Sequence, residues 1–397
     1  MDSSTIIDGY KGEMLETIDK MISIPAIPPA FGGKGETERA NFLESLIRGF
    51  GFDVKRYDYK DDTGATRPNL IVKYGNNART IWLVAHIDTA AEGDMSLWKY
   101  PPFKTTVENG RMYGRGTNDN GQDIIAGIYA MKALKESGVN LRFGMGLVLV
   151  ADEEVGSIYG ICKLLDEDIF KRDDMFMIPA WGSKNGDMID IAEKGIVWIR
   201  ITVEGKQTQS SHPENGVNAL RYAVEFLSAA DKLLHKKYTI KSELFSPPTS
   251  TFEMTKHEKG TSNVNTVPEE EVFFIDCRLL PEYKIDDVLN DLRILSASEQ
   301  FKPVKIKVET FLRMDSSPST DQNSEVVKIT AAAIEKVLKT EPKVLGIGSV
   351  TTATFFRSRG FNVAVWSKLQ DLARVPNEYA NVDDMLIDAK VFVKLFE

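Results

Sequence analysis

The sequence predicts an α/β fold, with helices covering a mostly parallel central sheet and a smaller α+β domain inserted into it. Three observations carry this. The runs 69–74 (NLIVKY), 81–85 (IWLVA) and 145–151 (MGLVLVA) are short and almost wholly apolar, as strands buried on both faces must be. Between the last two, Ile124 to Leu134 has the composition of a packed helix, so strand and helix alternate. From Val197 the pattern changes to VWIRITV, the alternation of a strand with one face buried and one wet.

Taken in order, Met14, Ile18, Met21 and Ile22 share one helical face and predict an opening helix. A second helix follows over Ala40 to Phe50 and stops at Gly51. The three buried strands and the helix between them come next. After VWIRITV the chain predicts a helix from Asn218 to Lys236, strands at 272–279 and 304–311, and a helix from Asp286 to Glu299 between those strands. This α+β unit, residues 196–312, is compact enough to be an inserted domain, leaving 1–195 and 313–397 as the main one. The α/β character then resumes with a helix from Ser324 to Leu338, a strand from Phe361 to Trp366 and a final helix from Val382 to Phe396.

Composition narrows the function. The 397 residues carry 49 Lys plus Arg against 58 Asp plus Glu, a net charge of -9, with the basic residues scattered instead of forming a stripe. Nucleic acid is therefore not the expected partner. The two cysteines, Cys162 and Cys277, are far apart, which argues against a disulfide scaffold and a thiolate metal site. The N-terminal segment lacks the basic and apolar stretches of a signal peptide, and no apolar run approaches the ~20 residues needed to cross a bilayer. The expectation is a cytoplasmic protein without a membrane partner. A phosphate-binding loop is not indicated either: Gly346-x-Gly348 lacks a third glycine.

The chemistry falls where strands end, the edge at which open α/β sheets bind ligands. His86 and Asp88 close one apolar strand and Glu153 and Glu154 follow another, while Asp119 lies in a glycine-flanked turn between them. Residues two apart on an extended chain point to one side, so Asp88 can orient the ring of His86 while its other nitrogen faces a metal. Glu153 and Glu154 point to different sides, which suits one as a metal ligand and the other as a base acting on water. Asp119, at a helix N-terminus, could bridge two cations. Alone, a His-x-Asp step or a Glu-Glu pair is ordinarily structural; the convergence of all three at strand edges is the signal.

These residues and their surroundings resemble the M20 metallopeptidases, the group that includes acetylornithine deacetylase, succinyl-diaminopimelate desuccinylase, aminoacylase and glutamate carboxypeptidase. The resemblance is carried by LVAHIDT (83–89), GRGTNDNGQ (114–122), VADEEVGS (150–157), IAEKGIVWIRITVEGK (191–206), the run Asn265 to Pro268, IDCRLLP (275–281) and PNEY (376–379). It implies a zinc-dependent hydrolase cleaving an amide bond in an N-acyl amino acid or small peptide. It implies also that the inserted domain is a lid that makes a homodimer. By position, His86 and Glu154 would each bind one zinc, Asp119 would bridge the two, Glu153 would be the general base and Asp88 would orient His86. Asn265, Arg278 and His212 would face the substrate, the Arg fork being suited to a carboxylate.

Four positions depart from that pattern. Ala180 stands where the family has an acidic zinc ligand, and Arg374 where it has a histidine ligand. Gln209 replaces a carbonyl-polarising histidine, with His212 three residues on, and Thr352 replaces an acid. The chain's only histidines are His86, His212, His235 and His257, so the C-terminal ligand has no histidine substitute. Two carboxylates ~4 Å apart at an effective dielectric near 20 repel by roughly 4 kcal/mol, so the acidic cluster needs one metal, protons, or Arg374 itself paired with Glu154 and Asp119. The last is the favoured expectation, with zinc at zero to two ions and one or none before two. The sequence thus reads as an impaired or single-metal hydrolase. Its alternative is an inactive homologue acting as a ligand-binding or regulatory subunit.

Overall fold

The computed structural model describes residues 2–397. The chain divides into two compact units, one comprising Met1–Ile191, Thr320–Leu345 and Thr351–Glu397, the other Ala192–Ser319 and Gly346–Val350.

The larger unit is built on an eight-stranded sheet in the order Val54–Lys60, Thr66–Tyr74, Gly144–Val150, Thr80–His86, Met175–Ile178, Asn362–Val365, Met188–Glu193, Lys343–Ile347. Its centre is parallel: Thr80–His86 runs with both neighbours, and Met175–Ile178 runs with Asn362–Val365. Antiparallel pairings lie to either side, so the sheet is mixed. Every residue of Thr80–His86 and of Gly144–Val150 is buried, which is why these runs are apolar on both faces. Gly146 is required by close packing, because a Cβ there would stand 2.0 Å from a carbon of the Trp82 ring.

The helix expected from Ile124 starts earlier, at Gln122–Ser137, and ends on left-handed Gly138. It packs against the last helix, Val382–Lys394. The opening helix is two, Ser3–Gly9 and Lys11–Ile22, and Met14, Ile18, Met21 and Ile22 are all buried. A small sheet of Thr106–Glu108, Arg111–Tyr113 and Tyr379–Asn381 ties the residues after PNEY to those before Asp119.

In the smaller unit, Thr251–Lys259, Glu270–Leu279, Gly195–Glu204 and Lys305–Met314 form an antiparallel sheet in that order. Val197, Ile199, Ile201 and Val203 face the helices Ala219–Lys237 and Ile285–Ser296, meeting Phe226, Leu234, Leu289 and Leu292 in one core. The strand Thr251–Lys259 carries no apolar signature because only Phe252 in it is buried. Among the described residues, no helix is long and apolar enough to cross a membrane.

Candidate active site

Parallel pairing sets two chain reversals side by side at one edge of the larger unit's sheet. His86 is the last residue of its strand and lies opposite Val150, and the chain beyond Val150 enters the turn Glu153–Val155. Asp119 occupies the turn Thr117–Gly121 that leads into Gln122–Ser137.

That turn is held from beneath by a residue to which the sequence reading gave no role. One carboxylate oxygen of Glu378, Oε1, accepts the backbone N–H groups of Gly116 (3.1 Å), Asn118 (3.0 Å) and Asp119 (3.0 Å). The other accepts from Arg115 Nη1 at 2.7 Å, and both side chains of this pair are buried. The signal was present in PNEY, but only the fold reveals what the acid grips. Asn120 is a second brace: its Oδ1 accepts the backbone N–H of His86 (3.0 Å), and its Nδ2 donates to the carbonyl of Pro179 (2.5 Å) and to Asp123 (2.9 Å). The Asn120–Pro179 bond ties the segment carrying Ala180 to the His86 strand. The methyl of Ala180 packs with the apolar cluster around Phe176 and Ile178.

The acids nearest Ala180 in sequence do not replace it. Asp174 accepts from the backbone of Thr80 and from Trp82 Nε1, at the start of the His86 strand and not its end. Asp190 is in a buried ion pair with Arg357, Asp187 accepts from Ser183, and Asp173 stands 3.9 Å from Arg79.

His86 Nδ1 donates to the main-chain carbonyl of Asp88 at 3.0 Å, while the Asp88 carboxylate is 3.5 Å away and instead accepts the backbone N–H of Glu154. Asp88 thus meets the His86 ring chiefly through its main-chain carbonyl, with its carboxylate farther from the same nitrogen. With Nδ1 committed as a donor, the 3.0 Å contact of Nε2 with Asp119 Oδ1 is an imidazolium–carboxylate pair. Burial opposes a charged ring, but Glu153, Asp119 and Asp88 outweigh it and raise the His86 pKa well above its ordinary value. Burial likewise opposes ionisation of Asp119, yet His86, Arg374 and Arg115 hold its carboxyl below the usual range.

Glu154 accepts the backbone N–H of Ala90 at 2.8 Å, and its other oxygen lies 2.6 Å from Arg374 Nη2. The carboxylate is buried, whereas the Arg374 side chain is 61 % exposed and reaches in from a residue with left-handed backbone, φ 64°. Arg374 thus takes the Glu154 partnership expected of it, while Asp119 pairs with His86. Burial, then repulsion from Asp119, pushes Glu154 up to about 8; burial and the same neighbour raise Glu153.

These residues do not fit a pair of metals. Among the described residues no three His, Cys, Asp or Glu side chains form a metal-holding group. One nitrogen of His86 is turned to a carboxylate, one oxygen of Glu154 is taken by a guanidinium, and Ala180 offers no lone pair. A guanidinium has no acceptor atom and repels a cation.

The other residues singled out from the sequence are each placed by their own elements. Thr352 is buried and opens the helix Ala353–Ser358. In the smaller unit, Gln209 pairs with Thr266 in a two-residue ladder, His212 is exposed and donates its N–H to the Gln209 carbonyl, and the Asn265 carbonyl accepts from Ser210. The fork of Arg278 is filled by Asp276, at 2.7 and 2.9 Å, with Nη1 on the carbonyl of Gly348.

Comparison with known proteins agrees with this architecture. An uncharacterized metallohydrolase of Methanocaldococcus jannaschii is 34% identical, the match covering 97% of this chain and 99% of the relative. An M20 family metallo-carboxypeptidase from Sulfolobus solfataricus superposes with a TM-score of 0.75 over 96% of this chain and 99% of its own, at 22% identity. Human carnosine dipeptidase 1 superposes with a TM-score of 0.72 over 99% and 98%, at 15% identity. The sequence pattern of peptidase family M20/M25/M40 matches residues 82–397, and by that match and the archaeal relative this chain belongs to the family.

Proposed function

We propose that this chain is a non-hydrolytic member of the M20 metallohydrolase family, a ligand-binding or regulatory protein for a small amide or peptide bearing a carboxylate. The observation that carries this reading is the ion pair of Arg374 with Glu154, 2.6 Å, at the position where the family's C-terminal zinc ligand is expected. The cluster is neutralised by the protein's own cations, imidazolium and guanidinium, which compete with a metal for the same carboxylates and so with the metal-activated water an amide hydrolase uses. Losing that water and its Lewis acid removes the terms on which such hydrolysis depends. Pairing of two copies through the smaller unit, as the resemblance implies, belongs to the same proposal.

The test is a panel of N-acyl amino acids and dipeptides, read by thermal stabilisation and by turnover with zinc supplied. Stabilisation without turnover supports the proposal; stoichiometric zinc together with amide cleavage sinks it. A second reading, a single-metal hydrolase, is favoured by the neighbouring His86 Nε2 and Asp119 Oδ1 with Glu153 beside them. One tightly held zinc per chain with slow turnover would support it instead.

A further inference from the structure

Behind the turn that carries Asp119, two acids are buried against one hydroxyl. Asp123 from the helix Gln122–Ser137, Asp388 from Val382–Lys394, and Ser367, just beyond the strand Asn362–Val365, are each at most 1 % exposed. Ser367 Oγ lies 2.8 Å from Asp123 Oδ1 and 3.2 Å from Asp388 Oδ2. A serine hydroxyl carries one hydrogen and can donate to only one of them. The other contact is a hydrogen bond only if a carboxyl O–H donates back to the serine.

The surrounding donors say which acid holds that proton. Asp388 accepts the backbone N–H of Lys368 on Oδ1 (2.9 Å) and Gln122 Nε2 on Oδ2 (2.9 Å). Asp123, apart from Ser367, accepts only from Asn120 Nδ2 on its second oxygen (2.9 Å). A carboxylate surrounded by donors favours its charge, and one with fewer favours its proton.

We infer that Asp123 is a neutral carboxylic acid in the folded protein, donating through Oδ1 to Ser367, whose hydroxyl donates in turn to an ionised Asp388. This proton is a structural part of the site: it joins two helices and, through Asn120, fixes the backbone of His86 and the carbonyl of Pro179. The charged groups facing the pair are Asp119 from the turn, and Lys368 and Asp384, which pair with each other. Burial raises both acids well above the carboxylate range, with repulsion from Asp388 adding to it at Asp123 and the Lys368 N–H and Ser367 opposing it at Asp388; this fits one proton held within the pair, and the donor geometry places it on Asp123.

The sign follows from linkage. An acid that keeps its proton in the folded state but loses it when unfolded makes folding less favourable as pH rises above its unfolded value. Each such proton steepens the dependence by about tenfold in the folding equilibrium constant per pH unit, until the folded group itself ionises. The experiment is urea unfolding of the full chain, wild type, Asp123→Asn and Asp388→Asn, between pH 5 and pH 9.

An asparagine at 123 reproduces the inferred arrangement, its NH2 on Ser367 and its carbonyl toward Asn120. Asp123→Asn is therefore expected to fold, to be at least as stable as wild type at pH 8, and to lose one proton's worth of pH dependence. Asp388→Asn sets an NH2 against Gln122 or the Lys368 N–H and is expected to be less stable than wild type at every pH. A wild-type slope retained in Asp123→Asn would overturn the inference. So would failure of Asp123→Asn to fold at pH 5, or a tolerated Asp388→Asn beside a damaged Asp123→Asn.

Discussion

Replacement of Glu378 by glutamine changes one atom and tests whether the site is held by charge or by shape. In the protein Glu378 Oε1 collects three backbone N–H groups at 3.0–3.1 Å, and Oε2 faces Arg115 Nη1 at 2.7 Å. A glutamine that keeps its carbonyl toward the three N–H groups must put its NH2 against the guanidinium, donor against donor. The flipped amide is worse, setting NH2 against three donors. Either way Arg115 stays buried, its side chain 2 % exposed, without the carboxylate opposite it. Removing one partner of a buried ion pair costs about 3–5 kcal/mol, because the other charge is left uncompensated. Urea unfolding at pH 8, followed by tryptophan fluorescence, measures this, since Trp98 packs on the Arg115 guanidinium with 5.1 Å from ring centre to Cζ. A loss below about 1 kcal/mol would mean that the pair behaves as a solvated one, and the account of how the Asp119 turn is positioned would be wrong.

Three further outcomes follow from the same geometry. Ala180→Asp combined with Arg374→His restores two oxygen or imidazole donors and removes the guanidinium, so it should take up zinc where the parent takes less; metal content equal to the parent's would show that these positions do not face the His86 edge. Glu36, fully buried, is pushed up to about 7 by burial and by Asp88, against the pull of Arg67. Stability should therefore fall as pH rises from its unfolded value through about 7, and Glu36→Gln should flatten the melting temperature over that window; parallel profiles would refute this. Asn120→Ala leaves the His86 N–H and the Pro179 carbonyl unpaired in a buried place, at about 1–3 kcal/mol each, so a melting temperature within error of wild type would contradict the bracing role.

What the sequence by itself determined was whatever depends on local composition and chain order. Runs such as IWLVA and MGLVLVA can only be strands buried on both faces, and they came out fully buried and parallel. VWIRITV marked a different sheet because its alternation leaves one face out of the core. The motif order likewise marked Ala180 and Arg374 as departures from the pattern that the chain resembles, since a departure is visible as a letter. Local pattern was silent where burial does not follow polarity: Thr251–Lys259 is a strand held by its ladder to Glu270–Leu279 and not by a hydrophobic face.

Only the tertiary structure decided the state of the site, because protonation and pairing depend on distances between residues far apart in the chain. It set Glu153 and Asp119 beside His86 so that its pKa rises, turned its other nitrogen to the carbonyl of Asp88, and placed Arg374 on Glu154. It also joined Glu378 to a turn some 260 positions earlier and set Asp123 against Asp388 across one serine hydroxyl. An acid in a sequence is simply an acid; whether it binds a metal, grips a loop or keeps its proton is fixed by the donors and charges that folding brings to it.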